Sequence, residues 1–331
     1  FALLQQAGKG QDIRFSVSRV EAIRSFCNKI WNIARFVMLN LDLDAGPPPP
    51  PESGELRAED KWIVSRLQRA IGTVNSSLAT YDLDNAARTL YDFLWSEYAD
   101  WYIEISKPRL EGTERSPVQY VLWHVLETSV RLLHPFMPFI TERVWQSIPH
   151  EGESIMIVPF PEVDDSQVDE SVEHQMDTIM DVTRTIRNLR AELGVPHAKA
   201  VASIVVPSSS EAKRAIDTGR ASIGTLAKVS KLELAETAPT DEQARFISAH
   251  LASGDVYIPV AGLIDLDREI ARVANQLAEV EKELARSRGK LSNEQFMSRA
   301  PAHIVEKQRR IVQELDEKRE KLEQRLGVLR G

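Results

Sequence analysis

The chain has 331 residues, 43% of them hydrophobic and 27% charged, enough to bury a core in each of two or three domains. No run approaches the roughly 20 apolar residues of a membrane span, and the first residues lack the basic, apolar and small-residue order of a signal peptide. A net charge of −8 argues mildly against nucleic acid, yet the 70 residues from Gly262 onward carry 15 basic and 13 acidic side chains and are electrostatically a separate object. The single cysteine, Cys27, excludes an internal disulfide and a Cys-based zinc cluster and fits a reducing cytoplasm. The opening at Phe1, without methionine, suggests a piece of something longer.

The first helix is predicted to start at a capping box formed by Ser18 and Glu21 and to run to about Leu41, where AGPPPPPESG breaks it. At about 100° per residue, Phe26, Cys27, Ile30, Ile33, Ala34, Val37, Met38 and Leu41 share one arc, with Trp31 at its edge. Asn28, Lys29, Asn32 and Arg35 share the other, and Phe36 stands with them. Pro47 to Pro51 make a stiff extended loop. Further helices are predicted over about Glu59–Thr80, then from Asp82/Asp84 to before Pro108, from Ser116-Pro117 to His134-Pro135, and over PFITERVWQSI. The third carries Ala87, Leu90, Leu94, Tyr98, Trp101 and Ile105 at spacings of three and four. Five amphipathic helices describe an up-and-down bundle over residues 1–161.

EVDDSQVDESVEHQMD (162–177) reads as a solvated acidic linker, without the ligand spacing of a cation loop, entering a helix that ends near Glu192. VASIVVP, KLELAE and GDVYIPV are strand-like and ASIGTLAKV helical, so residues 162–261 contain a small α+β module. From Leu266 the period is heptad-like: Leu266, Ile270, Val273, Leu277, Val280 and Leu284, then Ile304, Ile311, Leu315, Leu322 and Leu329. The interruption holds Gly289, a Ser292/Gln295 capping box and Pro301, which predicts an antiparallel coiled-coil hairpin over 262–331. The fold class expected is therefore mainly α, with a helical bundle, a small α+β module and a carboxyl-terminal coiled coil.

No glycine-rich phosphate loop, nucleophile elbow or H-E-x-x-H is present, and His134 reads as structural. Two patches remain. Lys29, Asn32, Arg35 and Phe36 could stack and hold an unpaired base, although periodicity alone favours packing of Phe36 under the proline loop or a neighbouring helix. Between Arg286 and Arg310, seven basic residues (Arg286, Arg288, Lys290, Arg299, Lys307, Arg309 and Arg310) face two acids, Glu294 and Glu306. Such segregation suggests a polyanion rather than a solvated coiled-coil face.

Five segments in this order and spacing resemble the carboxyl-terminal third of the valyl-tRNA synthetases: RFSVSRVEAIRSFCNKIWNIARFVMLNL, YDFLWSEYADWYIEISKPRL, LLHPFMPFITERVWQSIP, IRNLRAELGVP and KLSNEQFMSRAPAHIVEKQRR. The bundle segments are shared with isoleucyl and leucyl enzymes; the LSNEQFMSRAP hairpin favours the valyl enzyme, and the lone cysteine speaks against the cysteine-rich zinc module of many isoleucyl enzymes. The resemblance implies an anticodon-binding bundle in which Lys29, Asn32, Arg35 and Phe36 meet the valine anticodon. It also implies a coiled coil whose Arg288, Lys290, Arg299, Lys307, Arg309 and Arg310 lean on the outer corner of the tRNA. The HIGH and KMSKS motifs and the editing domain are absent, so ATP, Mg and the chemistry would belong to other domains of the parent chain. This chain would be a non-enzymatic, cofactor-free tRNA-binding part, cytoplasmic and monomeric. The alternative from another class is a helical scaffold that binds other proteins.

Overall fold

A computed structural model of the protein describes residues 1–6, 16–240, 245–260, 263, 266–292 and 302–330. Two compact units divide at Asp177/Thr178.

The first unit is a helical bundle. Helix α1 (Val17–Asn40) begins after Ser16, whose side chain makes no capping bond, so the Ser18/Glu21 box is not its start; Ser18 lies inside the helix. Its buried stripe is Phe26, Ile30, Ile33, Ala34 and Val37. Cys27, Met38 and Leu41, expected on the same arc, are only half-buried. Helix α2 (Ala58–Ala79) buries Trp62, Ile63, Leu67, Ile71 and Val74. The Arg57 backbone N–H donates to Asp60 Oδ2 at 2.9 Å, so an acidic residue closes the first turn where the free N–H groups and the helix dipole favour negative charge.

The third predicted helix is real but not uniform. It comprises α3 (Leu83–Asp92), a π-helical stretch (Phe93–Tyr102), α4 (Ile103–Ser106) and a 3-10 turn (Lys107–Glu111). The Ile103 N–H reaches back five residues to Tyr98 O, the mark of the wider turn. Ala87, Leu90, Leu94, Tyr98, Trp101 and Ile105 are all buried, as the spacing requires. The widened turn adds Phe93, Ala99, Tyr102 and Ile103 to the buried set. Helix α5 (Arg115–Leu133) starts after Glu114 rather than at Ser116, and α6 (Pro138–Trp145) is shorter than PFITERVWQSI. His134 is structural here: its Nδ1 lies 2.8 Å from Thr141 Oγ1 at the turn between the two helices.

The prolines of residues 47–51 run without helix or strand, as expected. The acidic 162–177 stretch is a docked strap rather than a solvated linker. Asp164 N–H donates to Gln68 Oε1 at 2.9 Å, and Asp169 N–H to Ser65 Oγ at 3.0 Å. Glu173, on the first turn of α7 (Glu170–Glu192), accepts from Arg69 Nε at 2.8 Å and from Ser65 Oγ. Three i+3/i+4-spaced polar groups of α2, Ser65, Gln68 and Arg69, thus capture the strap.

A buried charge cluster closes this unit. Arg109 donates to both oxygens of Asp60 at 2.9 and 2.6 Å, to Glu59 at 3.3 Å and through Nε to Glu114 at 2.8 Å. Tyr102 OH donates to the same Asp60 at 2.7 Å. Asp60 is wholly buried and Arg109 nearly so.

The second unit begins inside α7. A four-stranded sheet of order β2-β1-β4-β3 is formed by β1 (Val201–Pro207), β2 (Val229–Leu234), β3 (Phe246–Leu251) and β4 (Gly254–Pro259). β1 and β2 are parallel and joined through α8 (Ser210–Thr218) and α9 (Arg220–Ala227); β4 is antiparallel to both β1 and β3. Gly254 has φ +138, and a Cβ there would stand 2.1 Å from Val206 O, so only glycine lets the β3–β4 turn close on β1. Helices α10 (Leu266–Leu291) and α11 (Ala302–Arg330) pack as a pair through Val280, Leu284 and Leu315, with Ile311, Val312 and Leu322 against them. Of the heptad positions, Val273, Val280, Leu284 and Leu315 are buried, Ile311 and Leu322 pack against the seam and Ile304 is 39% exposed; the side chains of Leu266 and Leu329 lie outside those described. Gln295 and Pro301 lie outside the described residues.

Two measurements follow from these contacts. Arg109→Met leaves the buried Asp60 carboxylate without its counter-charge and should cost about 3–5 kcal/mol in urea unfolding. Glu173 is pushed up by burial but pulled further down by the Ser65 and Arg69 hydrogen bonds and the two arginine charges, so its folded pKa lies below the ordinary value. Its contribution is therefore complete above that ordinary value and is lost as pH falls through the lower, folded one. Glu173→Gln should destabilise by roughly 1.5–3 kcal/mol at neutral pH, and the gap to wild type should close on acidification below the carboxylate range.

Candidate RNA-binding faces

The polar face of α1 lies against the π-helical stretch and α4. Phe36 is half-buried there, so neither of its two readings is complete: one side of the ring packs, the other lines an open groove. The groove, about 290 Å³, is bounded by Lys29, Asn32, Ile33, Phe36, Ala99, Ile103, Glu104 and Lys107. Lys107 Nζ stands 5.9 Å from the centre of the Phe36 ring, within cation–π range. The Phe36 carbonyl accepts from Asn40 Nδ2 at 2.8 Å, which ties down the last turn of α1.

Lys29 is not the free cation that the helical projection suggests. Its Nζ is 2.6 Å from Asp100 Oδ1 and 5.0 Å from the centre of the Trp95 ring. Behind it, Phe26, Tyr91 and Trp95 form a ladder with centroid distances of 4.7 Å and 5.5 Å. Glu104 and Lys107 pair at 2.6 Å. Arg35 is exposed and makes no ion pair among the described residues, and Asn32 is exposed beside it. The groove therefore offers an aromatic face and an amide, with its charges balanced in pairs, and Arg35 stands exposed on the same helix next to Phe36. Such a set suits stacking and base-edge hydrogen bonding better than bulk phosphate attraction.

Asp100, Glu104 and Lys107 were not legible as site residues. Their spacing of four and three does put them on one face of the third helix, but the widened turn decides which face meets α1.

The basic tip divides differently. Arg288 is bound to Asp316 of the other helix, at 2.8 and 2.7 Å. Lys290, at the end of α10, and Lys307, Arg309 and Arg310, at the start of α11, are exposed. Arg299 lies outside the described residues. Among the described residues no group of three or more His, Cys, Asp or Glu is arranged to hold a metal. Oxygens of Asp164 and Asp169 accept from Ser166, Gln167, Ser171 and Val172 instead. No helix among the described residues is long and apolar enough to cross a membrane.

The half-buried aromatic in a polar groove and the exposed basic residues of the helix pair are the two candidate faces, and comparison with known proteins gives the family. Residues 60–206 match the anticodon-binding domain of tRNA ligases, and residues 265–330 match the valyl-tRNA synthetase tRNA-binding arm. Similar proteins include the valine–tRNA ligases of Listeria innocua (37% identical over all of this chain), Geobacillus stearothermophilus (38%, all of the chain) and Carboxydothermus hydrogenoformans (39%, 99% of the chain). This chain spans 37–38% of the length of those relatives. It belongs to the valyl-tRNA synthetase family and carries that family's anticodon-binding and tRNA-binding-arm domains.

The half-exposed Lys29–Asp100 pair should matter little to folding. Asp100→Ala is expected to change stability by no more than about 1 kcal/mol, as for other exposed pairs. Denaturant unfolding of the variant checks this, and a loss of several kcal/mol would make the groove wall part of the core.

Proposed function

We propose that this chain is the tRNA-holding part of a valine–tRNA ligase. The α1 groove reads the valine anticodon: Phe36 stacks on an unpaired base, Arg35 and Asn32 address base edges or phosphate, and Lys29, held by Asp100, lines the approach. The basic tip formed by Lys290, Lys307, Arg309 and Arg310, with Arg288 and Arg299, clamps the outer corner of the tRNA through phosphates and shape. The chain itself needs no cofactor. ATP, Mg and the attachment of valine belong to catalytic and editing domains of the parent protein, in the cytoplasm, with one copy serving one tRNA. The observation that carries this reading is Phe36, an aromatic ring kept half in solvent beside an uncommitted arginine.

The two contacts separate by their physics. Phe36→Ala should cost about 1–3 kcal/mol of affinity for valine tRNA and spare a tRNA with another anticodon. Reversing Lys290, Lys307 and Arg310 to Glu should weaken both tRNAs alike and flatten the slope of log affinity against log salt by roughly two units, since each phosphate contact contributes about 0.7–0.9. Binding titrations at several salt concentrations read both. Equal loss of the two tRNAs from Phe36→Ala, or an unchanged slope in the triple variant, would break the respective assignment.

A further inference from the structure

Basic side chains of the second unit converge where the end of α7, the loop after it and the α9–β2 junction meet. Arg190 is only 7% exposed, yet its guanidinium reaches just two backbone carbonyls, Lys228 O at 3.3 Å and Pro196 O at 3.4 Å. No carboxylate pairs with it among the described residues, and burial holds its pKa below the ordinary arginine value. Arg187 Nε donates to Leu226 O at 2.9 Å on the same side of α9, and Lys199 Nζ to Leu263 O at 2.7 Å.

Lys228 is the odd residue. It ends α9 in the left-handed conformation, φ 52 and ψ 54, where glycine or asparagine is the usual choice. Its ammonium sits 3.0 Å from His197 Nδ1. That hydrogen bond requires a neutral ring with its proton on Nε2, so the imidazole keeps a second donor in an exposed loop. A buried guanidinium without counter-charge is unfavourable alone. One oxyanion would supply that counter-charge. Arginine supplies a planar fork of N–H donors, lysine a point charge and histidine a further N–H, the donor set that phosphate oxygens accept.

We infer that Arg190, His197 and Lys228 form a phosphate cradle that takes a backbone phosphodiester of the bound RNA, a third tRNA contact besides the bundle groove and the basic tip. The inference rests on the tRNA-holding reading above. The cradle has no aromatic platform and addresses only phosphate, so it is indifferent to base sequence.

Lys228→Gly is the decisive variant, because glycine suits the left-handed backbone and removes only the cation. Its melting temperature should stay near that of wild type. Valine and non-valine tRNAs should both bind about fivefold more weakly at 0.15 M salt, with the salt slope lowered by somewhat under one. Acetylation footprinting gives a second readout: valine tRNA should protect Lys228 of the wild-type chain, whereas inorganic phosphate at the same phosphate concentration should not. An unchanged slope in Lys228→Gly, with Phe36→Ala still impaired, overturns the cradle and leaves the tRNA reading standing. Equal protection by inorganic phosphate overturns the RNA assignment. Absence of tRNA binding by the wild-type chain removes both readings.

Discussion

The carboxylate of Asp60 is wholly buried, and much of the first unit is arranged around keeping it paired. It closes the first turn of α2, takes both ends of the Arg109 fork and accepts from Tyr102. The pairing joins the start of α2 to the far end of the third helical segment. A buried ion pair is weak evidence for stability, because desolvation offsets much of its attraction, but it tolerates few alternative registers. Burial pushes Glu59 and Tyr102 toward their neutral forms, while Glu114, also pushed up by burial, is pulled below its ordinary value by Arg109 and Arg57. The Asp60–Arg109 pair thus sets how residues 93–111 lie along α2.

That register reaches the groove. Between α3 and Arg109 the chain passes through the π-helical stretch, whose wider turn lets Tyr98 and Tyr102 both point inward; their hydroxyls reach Leu122 O at 2.6 Å and Asp60 at 2.7 Å. The opposite side of the same segment carries Asp100, Glu104 and Lys107 toward α1. Arg66 adds a two-pronged bond to Glu97 at 2.8 and 2.7 Å. The polar wall of the groove is therefore positioned by buried contacts on its back.

The three cationic surfaces differ in how their charge is spent. Around Phe36 the lysines are paired with carboxylates and the half-buried ring lines the groove. At the end of the helix pair, Lys290, Lys307, Arg309 and Arg310 stand exposed, their charge open to solvent. In the sheet-bearing unit, Arg190 is enclosed by backbone carbonyls and Lys228 is held on strained backbone, so the charge is fixed in place.

Much of this was legible in the residues themselves. Helical periodicity placed the buried stripes of α1 and of the third helical segment and the seam through Val280, Leu284 and Leu315, because apolar burial repeats at the period of the backbone. The segregated charge near 286–310 and the aromatic on the polar arc of α1 marked the two candidate faces without any coordinates. Helix α8 and strand β3 escaped, since SEAKRAIDT carries few apolar residues and FISAHL is completed only by pairing with β4. So did the π-helical widening, the strap's capture by Ser65, Gln68 and Arg69, and the pairing of Lys29 with Asp100. Sequence spacing fixes which residues share a face of one helix. Which neighbour that face meets, and which charges it finds there, depends on segments 50 to 100 residues away, and only the packed chain decides it.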